Sequence, residues 1–339
     1  IGPVLVLGSS NFPLAYSTLG GDTVAAFAAG CCVVLKAHPM HAGSSILVAQ
    51  CISKVLQKLN LSSFIFSHIL DDSYYWASTF AKEPAIKAIG FTGSIKGGRA
   101  LMDIAAQRPD PIPVFAEMGS LNPVILTGIF KSEELQHTAE KLALSIYTDA
   151  GQFCTKPGLI LVHEQQLASF LDQLRTALEL LQPVPMLHPD IYQKFEARKR
   201  QVFQVKGVVQ HQTTQHAQGL LGRWALVQTD PAQLLQEPTL REEVFGPVLA
   251  VMPFDDEAQA VRLANGTEYG LAAGVWTGSL SRAHRMVRAI KAGLVHVNTY
   301  GGPDITVPLG GVRQSGNGHD KSMHALDKYL DLKTAWIQL

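Results

Sequence analysis

Residues 25–36 read AAFAAGCCVVLK and contain the junction of a helix and a strand. The small apolar residues up to Ala29 suit a helix, and Gly30 is the residue type that most often ends one. The apolar run from Cys31 to Lys36 has the length of a buried strand and ends on a charge. A helix that leads directly into a buried strand predicts a βαβ unit, the building block of a parallel sheet.

The same alternation extends in both directions from this junction. The predicted elements are strand 4–7, helix 14–29, strand 31–36, helix 41–59, strand 63–69, helix 73–82, strand 88–91, helix 94–107, strands 114–117 and 124–126, helix 133–148, strand 159–163, helices 166–181 and 189–204, strand 248–253, helix 257–265, strand 274–277, helix 279–290 and strand 294–298. The pattern predicts an α/β protein in which ligands bind at the carboxyl ends of parallel strands.

Three segments depart from the alternation. Residues 208–223 are rich in Gln, His and Gly and predict a poorly ordered surface segment. Residues 300–318 are rich in Gly and Pro and predict a loop. Residues 329–339 alternate loosely, which favours a terminal edge strand.

Composition excludes several classes of protein. Lys plus Arg and Asp plus Glu are both 28, so there is no overall charge bias toward nucleic acid or anionic membranes. No apolar run approaches the ~20 residues that span a bilayer. The four cysteines, Cys31, Cys32, Cys51 and Cys154, form no C-x-x-C pair, so no structural metal is expected. We expect a reduced, cytoplasmic protein.

Three residues are candidates for covalent chemistry. Cys154 lies in a glycine-containing loop, where a thiolate can reach a substrate. Glu117 ends an apolar strand and could act as a general base, and Asn11 precedes Phe-Pro and could donate to an oxyanion. Each also has an ordinary explanation: a buried small thiol, a solvated charge at a strand end, and a turn-forming amide.

A second group of residues suits a nucleotide. Lys36 ends a strand, where an ammonium can hold hydroxyls or a phosphate, or simply extend to solvent. Gly93 and Ser94 join a strand to a helix whose free N–H groups suit a pyrophosphate. Glu243 could accept from ribose hydroxyls and Phe245 could pack on a flat ring, although a charged turn explains both. The G-x-G-x-x-G fingerprint does not occur.

The order of these motifs identifies a family. They are Asn-Phe-Pro (11–13), Val-Leu-Lys (34–36), Phe-Thr-Gly-Ser (91–94), Glu-Met-Gly (117–119), Gly-Gln-Phe-Cys (151–154), Glu-Val-Phe-Gly-Pro (243–247) and Pro-Leu-Gly-Gly (308–311). From residue 1 to residue 339 the chain resembles the aldehyde dehydrogenase superfamily. The resemblance implies a Rossmann-like cofactor domain, an α/β catalytic domain and a C-terminal oligomerisation strand.

The resemblance also implies a role for each candidate. Cys154 becomes the nucleophile and Glu117 the general base that hydrolyses the thioester. Asn11 and the backbone N–H of Cys154 form the oxyanion hole. The expected cofactor-binding residues are Lys36, His38, Gly93, Ser94, Glu243 and Phe245, with Lys36 and Glu243 on the two riboses and Ser94 on the pyrophosphate.

Cofactor choice has one local clue. Family members that prefer NAD commonly carry Glu three residues after the equivalent of Lys36, and here that residue is Pro39, preceded by His38. Without a carboxylate there to repel a 2′-phosphate, NADP is expected to be accepted, and NAD is not excluded. The expected cofactor is NADP or NAD.

The expected reaction is oxidation of an aldehyde to a carboxylate. Residues 9–45, 117–123 and 151–159 resemble the 2-oxoglutarate semialdehyde dehydrogenase branch, whereas residues 298–339 resemble the gamma-glutamyl-aminobutyraldehyde dehydrogenase branch. The conversion of 2-oxoglutarate semialdehyde (2,5-dioxopentanoate) to 2-oxoglutarate is therefore one expected reaction. Leu309 stands where many members have Phe, which would widen the site near the thiol.

Relative to the family, we expect the chain to be truncated at its N-terminus by the equivalent of a small domain, ~100–150 residues. The expected domains are a cofactor domain (1–119), a catalytic domain (120–313) and a return segment with an oligomerisation strand (314–339). The expected partners are a small aldehyde and, in a full-length protein, further copies in a dimer or tetramer. The alternative is a non-catalytic fragment that binds nucleotide or intact subunits.

Overall fold

The structure is a computed structural model that describes residues 1–215, 219–301 and 304–339. Its described residues form two compact units. Unit 1 comprises Ile1–Met118, Pro303–Gly310 and Gly316–Leu339, and unit 2 comprises Gly119–Gly302 and Gly311–Ser315. The expected cofactor domain ends at residue 119 and is followed, after the catalytic domain, by a return segment from residue 314. In the structure the first segment of unit 1 ends at residue 118, and two later segments belong to the same unit.

Unit 1 is built on a parallel sheet with the order β3-β2-β1-β4-β5. Its elements are β1 (Val4–Leu7), α1 (Gly21–Ala28), β2 (Val33–Lys36), α2 (Ala42–Lys58), β3 (Phe66–Ile69), α3 (Tyr75–Lys82), β4 (Ala88–Gly93), α4 (Ile95–Ala106) and β5 (Val114–Met118). The chain adds strands first on one side of β1 and then on the other. Ligands bind such sheets at the carboxyl ends of the strands where the order reverses, here β1 and β4.

Both faces of this sheet are buried. In β1, Val4 and Val6 join a core cluster with Leu35 and Tyr329, whereas Leu5 on the opposite face joins a second cluster. A strand covered on both faces is apolar throughout, which explains why the strands of unit 1 appear in the sequence as continuous apolar runs.

Unit 2 contains a larger sheet with the order β14-β13-β6-β7-β12-β11-β9. Its elements are β6 (Pro123–Leu126), α5 (Ser132–Tyr147), β7 (Leu159–His163), α6 (Leu167–Glu179), β8 (Val184–Pro185), α7 (Pro189–Phe203), β9 (Val209–Gln212), β10 (Leu221–Gly222), β11 (Ala225–Gln228), α8 (Pro231–Gln236), β12 (Val248–Phe254), α9 (Glu257–Ala264), β13 (Ala272–Trp276), α10 (Leu280–Ala289) and β14 (Leu294–Val297). In the larger sheet the pairs are parallel except that β9 runs antiparallel to β11, and β8 and β10 form a separate antiparallel pair.

The first helix is shorter than predicted. Residues 13–19 form turns, and α1 begins at Gly21 rather than at Leu14. The hydroxyls of Ser17 and Thr18 bond to side chains on other elements, at 3.4 Å from His41 Nε2 and 2.5 Å from Ser45 Oγ. Such bonds favour irregular backbone over a helix.

The segment 208–223 was wrongly predicted to lack order. Val209–Gln212 forms β9, which pairs with the unpredicted strand β11, while residues 216–218 lie outside the described residues. A strand at the edge of a sheet tolerates exposed Gln and His side chains, so its sequence carries little apolar signal. Residues 302 and 303 of the predicted 300–318 loop likewise lie outside the description.

The predicted strand at residues 329–339 does not form in this single chain. A short helix, α11 (His324–Asp327), leads to Tyr329, which is fully buried in unit 1. Residues 330–339 follow without regular secondary structure and are exposed. An edge strand requires a neighbouring backbone to pair with, and within the described part of the chain this segment pairs with none.

The ranges 1–215, 219–301 and 304–339 contain no helix that is long and apolar enough to cross a bilayer.

Candidate active site

Unit 1 gathers its candidate residues at the carboxyl edge of its sheet. Lys36 is the last residue of β2 and lies opposite Leu7 of β1. Asn11 follows β1, Ser94 follows β4, and Glu117 in β5 pairs with Thr92 of β4. Parallel strands place their carboxyl ends on one side, so the sequence-based grouping of these four residues has a structural basis.

The ammonium of Lys36 is buried and held by a backbone carbonyl. Its Nζ donates to Asp71 O at 2.7 Å. Burial lowers the pKa of Lys36, while the carboxylates of Asp71 and Asp72 act in the opposite direction. The sequence analysis missed these two acids, which follow β3 and bring negative charge close to Lys36.

His38 begins a short turn beyond β2. Its Nδ1 accepts from Met40 N at 3.3 Å, and its ring stacks on His41 with centroids 5.8 Å apart. His41 Nε2 lies 2.9 Å from Ser9 O. The imidazole of His38 is thereby held two residues beyond Lys36.

The first turn of α4 fits an anionic ligand. Ser94 is the N-cap of α4, and its Oγ accepts from Gly97 N at 3.3 Å. A Cβ on Gly98 would overlap the side chain of Met118, and one on Gly93 would lie 2.7 Å from the Phe91 ring. The helix therefore packs tightly on the sheet while Gly93 and Ser94 stay exposed, an arrangement that leaves N–H groups available to a pyrophosphate.

The return of the chain fixes the backbone around Glu117. The Asn317 side chain accepts from Ala116 N at 3.1 Å and donates to Val114 O at 3.0 Å. Glu117 forms an isolated bridge with Gly316, where φ is +112° and a Cβ would overlap Ala116 O. Only glycine fits this close approach, and the buried Glu117 is held from both sides of β5.

In unit 2, the loop before Cys154 adopts an unusual backbone. Asp149, Ala150 and Gly151 have φ of +49°, +54° and +67° in succession. A Cβ on Gly151 would lie 2.5 Å from the carbonyl carbon of Gly246 and 2.6 Å from Pro247 N. Gly151 is therefore required because a side chain there would overlap the backbone of Gly246, and Gly246 is required because a Cβ there would overlap the Phe195 ring.

Two buried polar side chains hold the peptide of Cys154. Ser120 Oγ donates to Cys154 O at 2.5 Å. Asn122 Nδ2 lies 2.8 Å from the same oxygen and 2.9 Å from Lys156 O. Asn122 Oδ1 accepts from Ala272 N at 3.1 Å, which fixes the orientation of its amide group. The thiol itself is half-buried.

Glu243 lies beside the same serine. Its Oε1 is 3.4 Å from Ser120 Oγ. Burial raises the pKa of Glu243 to about 7, with Lys156 acting in the opposite direction. Burial likewise lowers the pKa of Lys156 to about 8, and its Nζ donates to Val248 O at 2.7 Å. Glu243 can therefore change its charge near neutral pH.

The unit 2 cluster lies at the amino ends of its strands. Ser120 and Asn122 precede β6, Cys154 and Lys156 precede β7, and Glu243 precedes β12. The unit 1 candidates lie instead at the carboxyl ends of their strands, the edge at which the alternation in the first 120 residues predicts ligands.

Within unit 2 the structure brings Cys154 and Glu243 together through Ser120, whereas Phe245 is half-buried two residues beyond Glu243. Ser120, Asn122 and Lys156 are the residues that sequence reasoning missed. The sequence carried no signal for Ser120 and Asn122, because residues 119–123 read GSLNP, a composition that is typical of a turn.

A tyrosine also contacts the loop of Cys154. Tyr300 OH donates to Thr155 O at 2.7 Å, and the ring stacks on Trp276 with centroids 6.3 Å apart. Burial and the neighbouring Cys154 both raise the pKa of Tyr300, so it remains a hydrogen-bond donor. The residues that the structure describes contain no group of three or more His, Cys, Asp or Glu side chains that could hold a metal ion.

Comparison with known proteins identifies the family. A sequence profile of the aldehyde dehydrogenase family matches residues 1–335. Alpha-ketoglutaric semialdehyde dehydrogenase of Acinetobacter baylyi is 40% identical over 276 residues, covering 79% of this chain and 51% of that protein. An NADP/NAD-dependent aldehyde dehydrogenase of Escherichia coli is 35% identical over 351 residues, covering 100% and 68%. The chain thus spans half to two thirds of these relatives.

Solved structures confirm the predicted fold. The aldehyde dehydrogenase KauB of Pseudomonas aeruginosa superposes with a TM-score of 0.86 at 32% identity, covering 100% of this chain and 69% of that one. An indole-3-acetaldehyde dehydrogenase in complex with NAD+ superposes with a TM-score of 0.85 at 29% identity, covering 100% and 68%. The chain belongs to the aldehyde dehydrogenase family.

Proposed function

We propose that this chain carries the machinery for NAD(P)+-dependent oxidation of an aldehyde to a carboxylate, with Cys154 as the nucleophile. The observation that supports this most is that two buried side chains, Ser120 and Asn122, donate hydrogen bonds to the carbonyl oxygen of Cys154. A structural cysteine needs no such support, whereas a nucleophile must be held in one position to attack.

In the proposed reaction, the Cys154 thiolate attacks the carbonyl carbon of the aldehyde, and the carbonyl oxygen of the aldehyde becomes an oxyanion. The Asn11 amide and the backbone N–H of Cys154 donate to that oxyanion. NAD(P)+, when bound, supplies the hydride acceptor. Glu117 then accepts a proton from the water that attacks the thioester, which releases the carboxylate and restores the thiol.

The cofactor would be held by the residues expected from the family. In unit 1 these are Lys36, His38, Gly93 and Ser94, and the exposed first turn of α4 suits the pyrophosphate. In unit 2 they are Glu243 and Phe245. Pro39 carries no charge that would repel a 2′-phosphate, whereas the carboxylates of Asp71 and Asp72 lie close enough to Lys36 to affect its pKa. The proposed cofactor is therefore NADP or NAD.

The proposed substrate is 2-oxoglutarate semialdehyde. Two relatives carry the name alpha-ketoglutaric semialdehyde dehydrogenase, the one from A. baylyi and one from Azospirillum brasilense that is 36% identical over 309 residues. Their identity to this chain is higher than the 30% of a gamma-glutamyl-gamma-aminobutyraldehyde dehydrogenase from Burkholderia cenocepacia, which supports the dioxo acid over gamma-glutamyl-aminobutyraldehyde.

The test is absorbance of the reduced nicotinamide with a panel of aldehydes that includes 2-oxoglutarate semialdehyde, run with NAD+ and with NADP+. Cys154→Ala is expected to abolish turnover. The matched control is Cys51→Ala, because Cys51 is exposed on α2. Turnover that survives in Cys154→Ala would disprove the assignment of the nucleophile.

A second candidate function is association without catalysis, in which the chain binds nucleotide or intact subunits. It is favoured by the exposed apolar side chains of Leu332, Trp336 and Ile337, beyond the last buried residue Tyr329. The same surface supports a homo-oligomer, dimer or tetramer. Light scattering gives the mass in solution, and nucleotide binding without turnover on any aldehyde would favour this candidate. The four free cysteines support a reduced, cytoplasmic location.

A further inference from the structure

A single hydroxyl connects the nucleophile loop to Glu243. Ser120 Oγ lies 2.5 Å from Cys154 O and 3.4 Å from Glu243 Oε1, and it accepts from Asn122 Nδ2 at 2.8 Å. Ser120 is 3% exposed. Bulk water therefore has little access to these bonds, and the partners within the protein decide where the hydrogen of Ser120 points.

The hydroxyl hydrogen of Ser120 has two possible acceptors, Cys154 O and Glu243 Oε1. A serine hydroxyl has one hydrogen and two lone pairs. Asn122, whose orientation Ala272 N fixes, occupies at most one lone pair, because its two amide hydrogens are shared among Ser120 Oγ, Cys154 O and Lys156 O. A protonated Glu243 can donate to the second lone pair, which leaves the hydrogen on Cys154 O. An ionised Glu243 can only accept, so it competes with Cys154 O for that hydrogen.

The charges around Glu243 set the pH at which this competition begins. Lys156 faces it from the nucleophile loop and Tyr269 from the segment before β13. The adjacent Glu242 is paired with Arg198 at 2.9 Å. Burial raises the pKa of Glu243 to about 7, while that of Tyr269 is raised to about 12. Glu243 thus changes charge near neutrality, and Tyr269 does not.

We propose that Ser120 is a positioning residue that transmits the protonation state of Glu243 to the peptide carbonyl of Cys154. The importance of this link for catalysis rests on the proposed function, in which Cys154 is the nucleophile. With Glu243 protonated, Cys154 O receives bonds from both Ser120 and Asn122. With Glu243 ionised, Asn122 alone holds it. One such hydrogen bond corresponds to about a two- to ten-fold change in an equilibrium.

The test is a double-mutant cycle on the alkylation rate of Cys154. Iodoacetamide is added without cofactor or aldehyde, and the modified peptide is quantified by mass spectrometry. The variants are Ser120→Ala, Glu243→Gln, the double variant and Ser120→Thr. Cys32 and Cys51 are exposed in the same chain, so their rates control for reagent and for unfolding.

At pH 9 we expect Glu243→Gln to change the alkylation rate of Cys154 by a larger factor in the chain with Ser120 than in the Ser120→Ala chain. The two factors should differ about two- to ten-fold. At pH 6 the two backgrounds should respond equally, because Glu243 is then mostly neutral. The direct field of the carboxylate and the titration of Lys156 occur in both backgrounds and cancel. Ser120→Thr keeps the hydroxyl and should behave as serine.

Equal responses at pH 9, a difference that is the same at both pH values, or a threonine variant that behaves as alanine would overturn the proposal. If Ser120→Ala does not fold, Ser120→Gly, which also lacks the hydroxyl, replaces it in the same cycle with Glu243→Gln. Because no cofactor or aldehyde is present, a chain that is inactive in the aldehyde assay but shows this coupling would contradict the proposed function and leave the link intact.

Discussion

Gly151→Ala tests whether the loop before Cys154 depends on the close contact between two backbones. The residue has φ of +67°, and an added Cβ would lie 2.5 Å from the carbonyl carbon of Gly246. A side chain in the left-handed region costs roughly 1–2 kcal/mol. Overlap with backbone that cannot move aside adds roughly 1–3 kcal/mol. Together these predict that unit 2 loses roughly 2–5 kcal/mol of stability.

Hydrogen exchange of the paired strands β7 and β12 measures this loss, because their amides exchange only when unit 2 opens. A loss of 2–5 kcal/mol corresponds to exchange roughly 30- to 4,000-fold faster. Two controls separate the contributions. Gly30 has φ of +78° with open space around it, so Gly30→Ala isolates the backbone strain. Gly278 also has open space but no positive φ, so Gly278→Ala should change the stability by no more than about 0.5 kcal/mol.

The reasoning fails if Gly151→Ala destabilises unit 2 no more than Gly30→Ala destabilises unit 1. That result would mean that the contact with Gly246 and Pro247 relaxes at no cost. Exchange of β1 and β4 in unit 1 serves as an internal reference in the Gly151→Ala chain and should be unchanged.

Three further outcomes are expected. Glu117→Gln should give a burst of reduced nicotinamide and then stall as the acyl-enzyme, because no base activates water; absence of both burst and trapped thioester by mass spectrometry would contradict its role. Lys328→Met should destabilise unit 1 by about 3–5 kcal/mol in urea unfolding, since it leaves the buried Asp320 and the half-buried Asp22 without their ammonium partner, and a loss below about 1 kcal/mol would argue against a buried network. Burial raises the pKa of Glu243 from 4.5 to about 7, so between these pH values folded unit 2 retains a proton that the unfolded chain releases. The stability of unit 2 should therefore fall as the pH rises from about 4.5 to 7. Glu243→Gln should flatten this pH dependence in thermal unfolding, and an unchanged slope would show that another group causes it.

Much of unit 1 could be predicted because its chemistry follows its strands. Both faces of the sheet are covered, so apolar runs mark the strands and the polar residues that end them mark the edge where ligands bind. Lys36 and Glu117 are found in this way. The extent of α1 could not be predicted, because Ser17 and Thr18 are drawn out of a helix by His41 and Ser45, partners that only the tertiary structure brings near.

The site in unit 2 was less accessible to sequence reasoning. Motif order located Cys154 and Glu243, but nothing local indicated that Ser120 connects them, because the contact joins residues that are 34 and 123 positions apart. The polar strand β9 was missed for a related reason: its pairing with β11 replaces the apolar pattern that usually identifies a strand. In both cases long-range hydrogen bonds, rather than local composition, determine the structure.

The interleaving of the two units along the chain has a consequence for biosynthesis. Tyr329 is fully buried in unit 1, where its hydroxyl bonds to Asp22. The first 118 residues of unit 1 therefore leave the ribosome about 200 residues before the segment that completes them, a wait of roughly 10–40 s at ordinary translation speeds. Unit 1 is finished after unit 2, so the nascent chain holds all five strands of the unit 1 sheet while the residues that cover one of its faces, Ala325 and Tyr329, are still missing.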